Sequence, residues 1–184
     1  MILSQPIIGK LVNIRSADVA DAEYTYRIRQ DEGKTKYLSP VNGTVEDQAR
    51  FIEEQRQRND SYFFIVEDKE GNALGTTALY DYDPLKNTVT HGRILLYGSP
   101  IQDTEAIVLV YDYAFYGLGV DVAIGNPLEE NLPSIGVTKR VGGRLVDREY
   151  DPRFQQDILY FHIDKEVYEA KRIGIYKLVD RFAR

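Results

Sequence analysis

Residues 131–146 read Asn131-Leu-Pro-Ser-Ile-Gly-Val-Thr-Lys-Arg-Val-Gly-Gly-Arg-Leu-Val146, and this segment is the most informative part of the chain. Asparagine is a favoured helix cap, proline is tolerated in the first helical turn, and glycine commonly ends a helix. The segment therefore predicts a short helix that follows Asn131, stops at the paired glycines and leads into a strand. Another predicted strand, residues 120–124, precedes it.

The same periodicity and capping signals divide the rest of the chain into short strands and helices. A polar loop is predicted at 30–43, where Gly and Pro interrupt the pattern. Alternation in the strand 88–97 places Val89, His91, Arg93, Leu95 and Tyr97 on one face. The predicted strands are 10–14, 62–67, 73–82, 88–97, 120–124, 144–150 and 156–163, and the predicted helices are 18–29, 44–58, 99–116, 131–141 and 164–182.

Composition limits the classes of protein that the chain can belong to. It has 184 residues, 43% of them apolar and 28% charged, as expected of a globular protein. The 23 basic and 29 acidic residues give a net charge of −6, which argues against duplex nucleic acid as the main partner. The absence of cysteine excludes disulfides, thiolate catalysis and Cys-ligated zinc. No apolar run has the length of a membrane span, and we expect a cytoplasmic protein.

The predicted order β-α-α-β-β-β-α-β-α-β-β-α resembles that of the acetyl-CoA-dependent GNAT N-acetyltransferases from residue 10 to about residue 164. The resemblance implies one α/β (α+β) domain over residues 1–184, with residues 164–184 as a helical extension. It implies a mixed, mostly antiparallel sheet of about seven strands with helices on both faces. It also implies that two strands part and that the pantetheine arm of acetyl-CoA pairs with residues 94–97, while its diphosphate lies at the helix start near 100–103. The cofactor-binding residues implied are Leu95, Leu96, Tyr97, Ile101, Gln102, Asp103, Asn131 and Ser134.

Two segments depart from the family pattern. The usual N-x-x-(A/S)-x-x-x-(Y)-x-x-x-G motif is matched by Asn131 and Ser134, but Thr138 stands where many members have a tyrosine acid. The usual Q/R-x-x-G-x-G/A diphosphate loop is replaced by Tyr97-Gly-Ser-Pro-Ile-Gln-Asp-Thr-Glu-Ala106. Asp103 in that segment brings negative charge to a helix start, where it competes with a bound phosphate. Asn131 also has a purely structural interpretation, as the cap of its helix.

The chemistry requires a group that removes a proton from the acceptor amine and a donor that polarises the thioester carbonyl. His91 is our first choice for the base, because it lies on the strand expected to line the cofactor site. Glu67 is an alternative, and His162 ranks below His91. Packing against a helix is the competing interpretation of His91. A backbone N–H near Leu95 or Leu96 is the expected oxyanion donor, and no residue pattern indicates a metal site.

The acceptor is expected to be a small molecule that carries a primary amine. Residues 27–39 and 62–67 resemble bacterial GNAT enzymes that acetylate amino groups of nucleotide-linked sugars, which implies Arg29, Lys36 and Tyr37 as acceptor-binding residues. Tyr80 and Tyr82 are further candidates on a neighbouring strand. A polyamine, an antibiotic or a protein N-terminus remains an alternative acceptor, and a GNAT-like binding protein without turnover remains an alternative function. The late hairpin and the last helix offer surface that a homodimer would use, although no residue requires one.

Overall fold

The computed structural model describes residues 1–40 and 43–183. These residues form a single sheet of eight strands, in which every pair of neighbours is antiparallel except one. The strands are β1 (Ile7–Ile8), β2 (Asn13–Ser16), β3 (Tyr62–Glu67), β4 (Ala73–Asp83), β5 (Thr88–Leu96), β6 (Val122–Gly125), β7 (Arg144–Asp151) and β8 (Gln156–Asp164). Their order across the sheet is β1-β2-β3-β4-β5-β6-β8-β7, and β5 and β6 are the parallel pair.

The helices begin largely where the capping signals predict. Thr44 with Asp47 and Ser99 with Gln102 form reciprocal capping boxes, and the Asn131 side chain accepts a hydrogen bond from the Ser134 amide. The helices are α1 (Ala22–Arg29), α2 (Glu32–Thr35), α3 (Val45–Gln57), α4 (Pro100–Asp112), α5 (Leu132–Arg140) and α6 (Lys165–Phe182). None of the helices in the described part of the chain is long and apolar enough to cross a membrane.

Helices cover both faces of the sheet, and the side chains of β3 point alternately into the core on one face and the core on the other. Phe64 and Val66 belong to a core that includes α4 and residues of α6, whereas Phe63 and Ile65 belong to a second core beneath α3. Successive strand residues point to opposite faces, so a strand that is apolar throughout is buried on both sides. The predicted fold class is therefore confirmed. The eighth strand, which the sequence did not indicate, is the two-residue β1.

The predicted loop 30–43 is only partly correct. A four-residue helix, α2, forms in its first half, where the Asp31 side chain accepts a hydrogen bond from the Gly33 amide. Positions 41 and 42 of the predicted loop lie outside the described residues, as does residue 184 of the predicted domain. The helix α2 matters for the site because it brings Lys34 next to the end of β5.

Two β-bulges change which side chains share a face of the sheet. Asp81 on β4 and Arg93 on β5 both have a φ of 52°, and the pairing of these strands shifts register next to each of them. The predicted alternation of β5 is therefore wrong beyond Gly92. Ile94 and Leu96 pack against the core that contains α4, whereas Arg93 lies over Phe51 of α3 on the opposite face.

A buried carboxylate on α4 holds the segment that leads into β2. Glu105 is 1% exposed and accepts hydrogen bonds from three successive backbone amides. The distances are 2.7 Å to the Lys10 nitrogen, 2.6 Å to that of Leu11 and 2.9 Å to that of Val12. Within the described part of the chain no other acceptor satisfies these amides, so Glu105 joins the N-terminal part of the sheet to the central helix.

Candidate active site

The strands β5 and β6 part after a short parallel ladder. The ladder runs from Thr88 opposite Val122 to His91 opposite Gly125, and β6 ends there. The strand β5 continues to Leu96, and no described strand pairs with it on that side beyond His91. A cavity of about 920 Å³ opens between the free part of β5 and the segment that leads into α5, and we call it the cleft. The parting of two strands expected from the sequence is therefore confirmed.

The free part of β5 presents backbone groups to the cleft that pair with no described strand. The Leu96 carbonyl faces it and accepts a hydrogen bond from the Lys34 ammonium at 2.5 Å. The Leu95 carbonyl instead faces β4, so close to Gly75 that a side chain at that position would overlap it. Because the N–H and C=O of one strand residue point to the same side, the Leu96 amide also faces the cleft.

Five of the eight cofactor-binding residues implied by the sequence line the cleft. They are Leu95, Leu96, Asp103, Asn131 and Ser134. The other three, Tyr97, Ile101 and Gln102, lie outside its lining. Tyr97 turns away, because its hydroxyl donates to Asp31 at 2.8 Å, and Gln102 is held by the capping box with Ser99.

The start of α4 differs from an open phosphate cradle. The Ser99 amide donates to Gln102 Oε1 at 2.9 Å, and the Gly98 amide donates to Asp103 Oδ1 at 3.0 Å. The chain's own side chains thus occupy amides that an anion would otherwise use. Burial raises the pKa of Asp103, and the nearby Lys34 charge opposes that rise. A diphosphate bound here would have to displace or neutralise the Asp103 carboxylate.

The start of α5 remains available to the cleft. The Asn131 side-chain oxygen caps the helix by accepting a hydrogen bond from the Ser134 amide at 3.2 Å. The side-chain NH₂ group of Asn131 and the hydroxyl of Ser134 make no hydrogen bond to described residues, and both residues line the cleft. The structural and the ligand-binding interpretation of Asn131 are therefore compatible, because different atoms serve the two roles.

Thr138 is a packing residue. It is 4% exposed, and its hydroxyl donates to the Ser134 carbonyl at 2.9 Å. Side chains at Gly125 and Gly143 would each collide with its methyl group, so α5 packs tightly against both strand ends here. Thr138 lines the cleft, but an aliphatic hydroxyl is a far weaker acid than the phenol of a tyrosine. Thr138 therefore does not replace the tyrosine acid of the family that the sequence resembles.

His91 reaches the cleft, but its environment does not suit a general base. The ring is 3% exposed, Nε2 lies 2.8 Å from the Thr77 hydroxyl, and the ring meets Tyr111 edge-on at 4.7 Å. Burial lowers the pKa of His91 to about 3, so the imidazole would bind a proton only weakly at neutral pH. The competing interpretation from the sequence, packing under a helix, describes His91 better.

The other two predicted proton-transfer candidates lie away from the cleft. Glu67 accepts from Arg15 at 2.6 Å near the far end of β3. Its carboxylate is committed to that ion pair and does not line the cleft. His162 on β8 pairs with Ile124 and Arg144 across the sheet and is also absent from the lining. The positions of β3 and β8 therefore keep both side chains out of the cleft lining, and neither is retained as a proton-transfer candidate.

Tyr80 lies at the point where β5 and β6 part. A Cβ on Gly92, the first residue beyond the ladder, would lie 2.7 Å from the Tyr80 hydroxyl. That hydroxyl donates to Asn126, the first residue after β6, at 3.0 Å. Burial raises the pKa of Tyr80, so the phenol stays protonated at neutral pH. Tyr82, predicted to share its role, packs against the opposite core because the bulge at Asp81 separates the two side chains.

The acceptor-binding candidates from the sequence also divide into residues inside and outside the cleft. Arg29 and Tyr37 line the cleft. Lys36 lies outside it, with its ammonium 3.5 Å from Glu130 and 3.4 Å from the Tyr37 hydroxyl. In the described part of the chain, no cluster of three or more His, Asp or Glu side chains is placed to hold a metal ion.

Lys34, Arg93 and Asn126 are among the cleft residues that sequence reasoning missed. Lys34 was assigned to a loop, Arg93 was placed on the wrong face, and Asn126 lies in a connection without a motif. The glycine before Arg93 was the only hint of a bulge. Nothing in the local sequence identifies the other two, because their positions depend on contacts between distant segments.

Comparison with known proteins identifies the family. Residues 11–144 match the family model of the acetyltransferase (GNAT) domain, which covers more than half of the chain, and the protein belongs to that family. A relative from Bacillus subtilis (strain 168), the uncharacterized N-acetyltransferase YnaD, is 25% identical over 140 residues. That match covers 75% of this chain and 82% of the relative.

Solved structures of GNAT proteins have the same fold. The apo structure of FdhC, described as a nucleotide-linked sugar GNAT, superposes with a TM-score of 0.82 at 21% identity and covers 96% of this chain and 99% of its own. The spermidine N-acetyltransferase from Vibrio cholerae, in complex with CoA and spermine, gives a TM-score of 0.78 at 15% identity and covers 87% and 99%. At these identities the likeness shows the fold alone.

Proposed function

We propose that the protein is an acetyl-CoA-dependent N-acetyltransferase. The observation that carries this proposal is the free part of β5, whose Leu96 carbonyl and amide face a cleft beside the start of α5. An amide-rich arm can pair with such an edge as a further strand does. The residues in the cleft fit pantetheine, because Asn131 and Ser134 offer polar groups beside the apolar Val137.

The chemistry needs few side chains. Bound acetyl-CoA would supply the acetyl group to an acceptor amine, with a new C–N bond replacing the C–S bond. The Leu96 N–H is the oxyanion donor of our proposal, because it faces the cleft while Leu95 is turned toward β4. Tyr80 is the proposed proton donor to the leaving sulfur, held in place by Asn126. The amine proton is lost to water, and a proton from water returns to the Tyr80 phenolate, which completes the proton balance.

The proposed acceptor is an amino group on a nucleotide-linked sugar. Arg29 and Tyr37, which the finer resemblance implied, both line the cleft, and the similar fold of the nucleotide-linked sugar GNAT agrees with this choice. The similar fold of the spermidine acetyltransferase keeps a polyamine acceptor as an alternative. A binding protein without turnover is the second candidate function, favoured by the occupied amides at the start of α4 and by Thr138.

Release of CoA thiol tests the proposed function directly. The chain has no cysteine, so a thiol reagent reports only CoA freed by the reaction. We expect the largest kcat/KM with a nucleotide-linked amino sugar, compared with spermidine, an aminoglycoside and a peptide with a free N-terminus. A preference for spermidine would contradict the acceptor assignment. Binding of acetyl-CoA without thiol release for any amine would support the binding protein instead.

Tyr80→Phe is expected to lower kcat at least about tenfold and to leave the acetyl-CoA dissociation constant within about twofold. The substitution removes only the hydroxyl that lies at the parting of the strands. Tyr82→Phe is the matched control, because Tyr82 lies on the same strand but packs outside the cleft. Equal kcat values for the two variants would remove Tyr80 from the mechanism.

Asp103→Asn is expected to tighten acetyl-CoA binding by about fivefold, because it removes a negative charge beside the proposed diphosphate position. The asparagine oxygen can still accept from the Gly98 amide. Glu166→Gln, in the first turn of α6 and outside the cleft, is the control and should change nothing. Weaker binding by Asp103→Asn would show that the start of α4 does not receive the anion.

The same variant has a predicted pH signature in stability. The pKa of Asp103 is raised above its ordinary value of 3.8 in the folded protein, so ionised Asp103 destabilises the fold. The wild type therefore loses stability as pH rises from 3.8 through the higher pKa of Asp103 in the folded protein, and the variant does not. We expect Asp103→Asn to melt at a higher temperature at pH 7, with the difference shrinking as pH falls toward 4. A difference that grows on acidification would contradict this account.

A further inference from the structure

We infer that Arg29 and Arg93 together form an anion-binding site for an acidic group, a phosphate or a carboxylate, on the acceptor. The identification of the ligand as the acceptor rests on the proposed function, whereas the existence of the anion site does not. Both arginines line the cleft, Arg29 at the end of α1 and Arg93 beside Tyr80.

Arg93 is held rigidly at the bulge of β5. Its guanidinium carbon lies 4.8 Å from the Tyr80 ring centre and 5.5 Å from that of Phe51, and Nη1 donates to Gln55 Oε1 at 2.8 Å. It directly follows Gly92, the first residue beyond the β5–β6 ladder. Aromatic faces and a neutral amide thus orient the guanidinium, but neither of them neutralises its charge.

Arg29 is the last residue of α1, and it lines the cleft together with Arg93. Its Nη2 donates to the Ser39 carbonyl, and its Nε is buried and has no hydrogen-bond partner among the described residues. The pKa of Arg29 is lowered, first by burial and then by the positive charge of Arg93. Two like charges close enough to influence one another are costly unless an anion joins them.

No carboxylate among the described residues lies within 4.0 Å of either guanidinium. Asp60 and Asp81 act on Arg93 only from a greater distance. Arg153, which also lines the cleft, shows the contrast, because it pairs with Asp151 at 2.6 Å. The protein therefore neutralises one arginine of the cleft internally and leaves two charges to a ligand.

The positions of the two arginines also distinguish the acceptor end of the cleft from the cofactor end. The proposed cofactor positions, Asp103 and Ser134, lie at the starts of α4 and α5, whereas Arg29 and Arg93 lie toward α1 and α3. Guanidinium groups bind phosphates and carboxylates through paired hydrogen bonds. A polyamine would meet repulsion at the same place. The site thus favours an acceptor that is anionic as well as amine-bearing.

Calorimetric titration with two probes tests the site. Uridine diphosphate represents the phosphate source and succinate the carboxylate source, and at least one of them is expected to bind the wild type at micromolar to low-millimolar concentration. Arg29→Met and Arg93→Met should each weaken that binding at least tenfold, with circular dichroism confirming the fold. Arg27→Met, on the same helix but outside the cleft, is the control and should bind as the wild type does.

The outcomes distinguish this inference from the proposed function. Ser134→Phe should leave probe binding unchanged, because it blocks only the proposed cofactor end. Acetyl-CoA binding without binding of either probe would overturn the anion site and leave the transferase proposal standing. Probe binding that is lost in both arginine variants, in a protein that does not bind acetyl-CoA, would support the site and refute the transferase. Probe binding that survives both substitutions would overturn the site.

Discussion

Ser134→Phe is expected to lower the affinity for acetyl-CoA by at least about 100-fold, which corresponds to about 2.7 kcal/mol. Ser134 is half-buried on α5 and lines the cleft where the pantetheine arm would lie against β5. A phenylalanine ring there would occupy the space between helix and strand, and overfilling a packed site typically costs about 1–3 kcal/mol. The dissociation constant measured by calorimetry is the test, with the melting temperature recorded for the same sample.

Gly136→Phe provides the matched control for this variant. Gly136 belongs to the same helix, is exposed, and has nothing within 4 Å of the position that a side chain would take. The same aromatic group added there should leave acetyl-CoA affinity unchanged and should not destabilise α5. If both variants bind as the wild type does, the ligand does not pass along α5. If both lose binding, the effect comes from the helix as a whole and not from the blocked cleft.

Glu105→Ala is expected to lower the free energy of unfolding by about 4 kcal/mol, because it leaves the amides of Lys10, Leu11 and Val12 without an acceptor. Total stabilities are typically about 5–15 kcal/mol, so the variant should be close to unfolding at 37 °C. Glu105→Gln keeps one acceptor oxygen and brings an NH₂ group toward the remaining amides, so we expect a smaller but clear loss. Urea denaturation of the three proteins gives the ranking.

Asp180→Ala supplies the control for Glu105. Asp180 pairs with the Lys10 ammonium at 2.5 Å, but the two side chains are 49% and 55% exposed. Exposed ion pairs contribute about 0–1 kcal/mol, so this variant should remain within 1 kcal/mol of the wild type. Equal losses for Asp180→Ala and Glu105→Ala would show that the buried amides are satisfied in another way and that Glu105 does not join the two parts of the fold.

Local signals were sufficient to predict most of the fold. The capping boxes at Thr44 and Ser99 and the cap at Asn131 lie where the residue types predicted them. These features depend on side chains within four residues of one another, which the sequence displays directly. The antiparallel hairpins and the single parallel pair then follow from the order of the elements, and the structure has them in that order.

The site was harder to predict because its residues depend on irregular backbone and on long-range contacts. One extra residue at Arg93 turns its side chain from the α4 face to the α3 face, and Asp81 separates Tyr80 from Tyr82 in the same way. Alternation assumes a regular strand and so misplaces every residue beyond a bulge. His91 shows a further limit, since the sequence left both a catalytic role and packing under a helix open, and only the structure shows that the ring is buried.

The titration of the unmodified protein with acetyl-CoA and with desulfo-CoA tests the central claim most directly. The claim is that the parted strands β5 and β6 hold a pantetheine arm against the free edge of β5. We expect a single site with a dissociation constant in the micromolar range, similar values for the two ligands, and loss of both in Ser134→Phe. The absence of binding by either ligand at millimolar concentration would contradict the account.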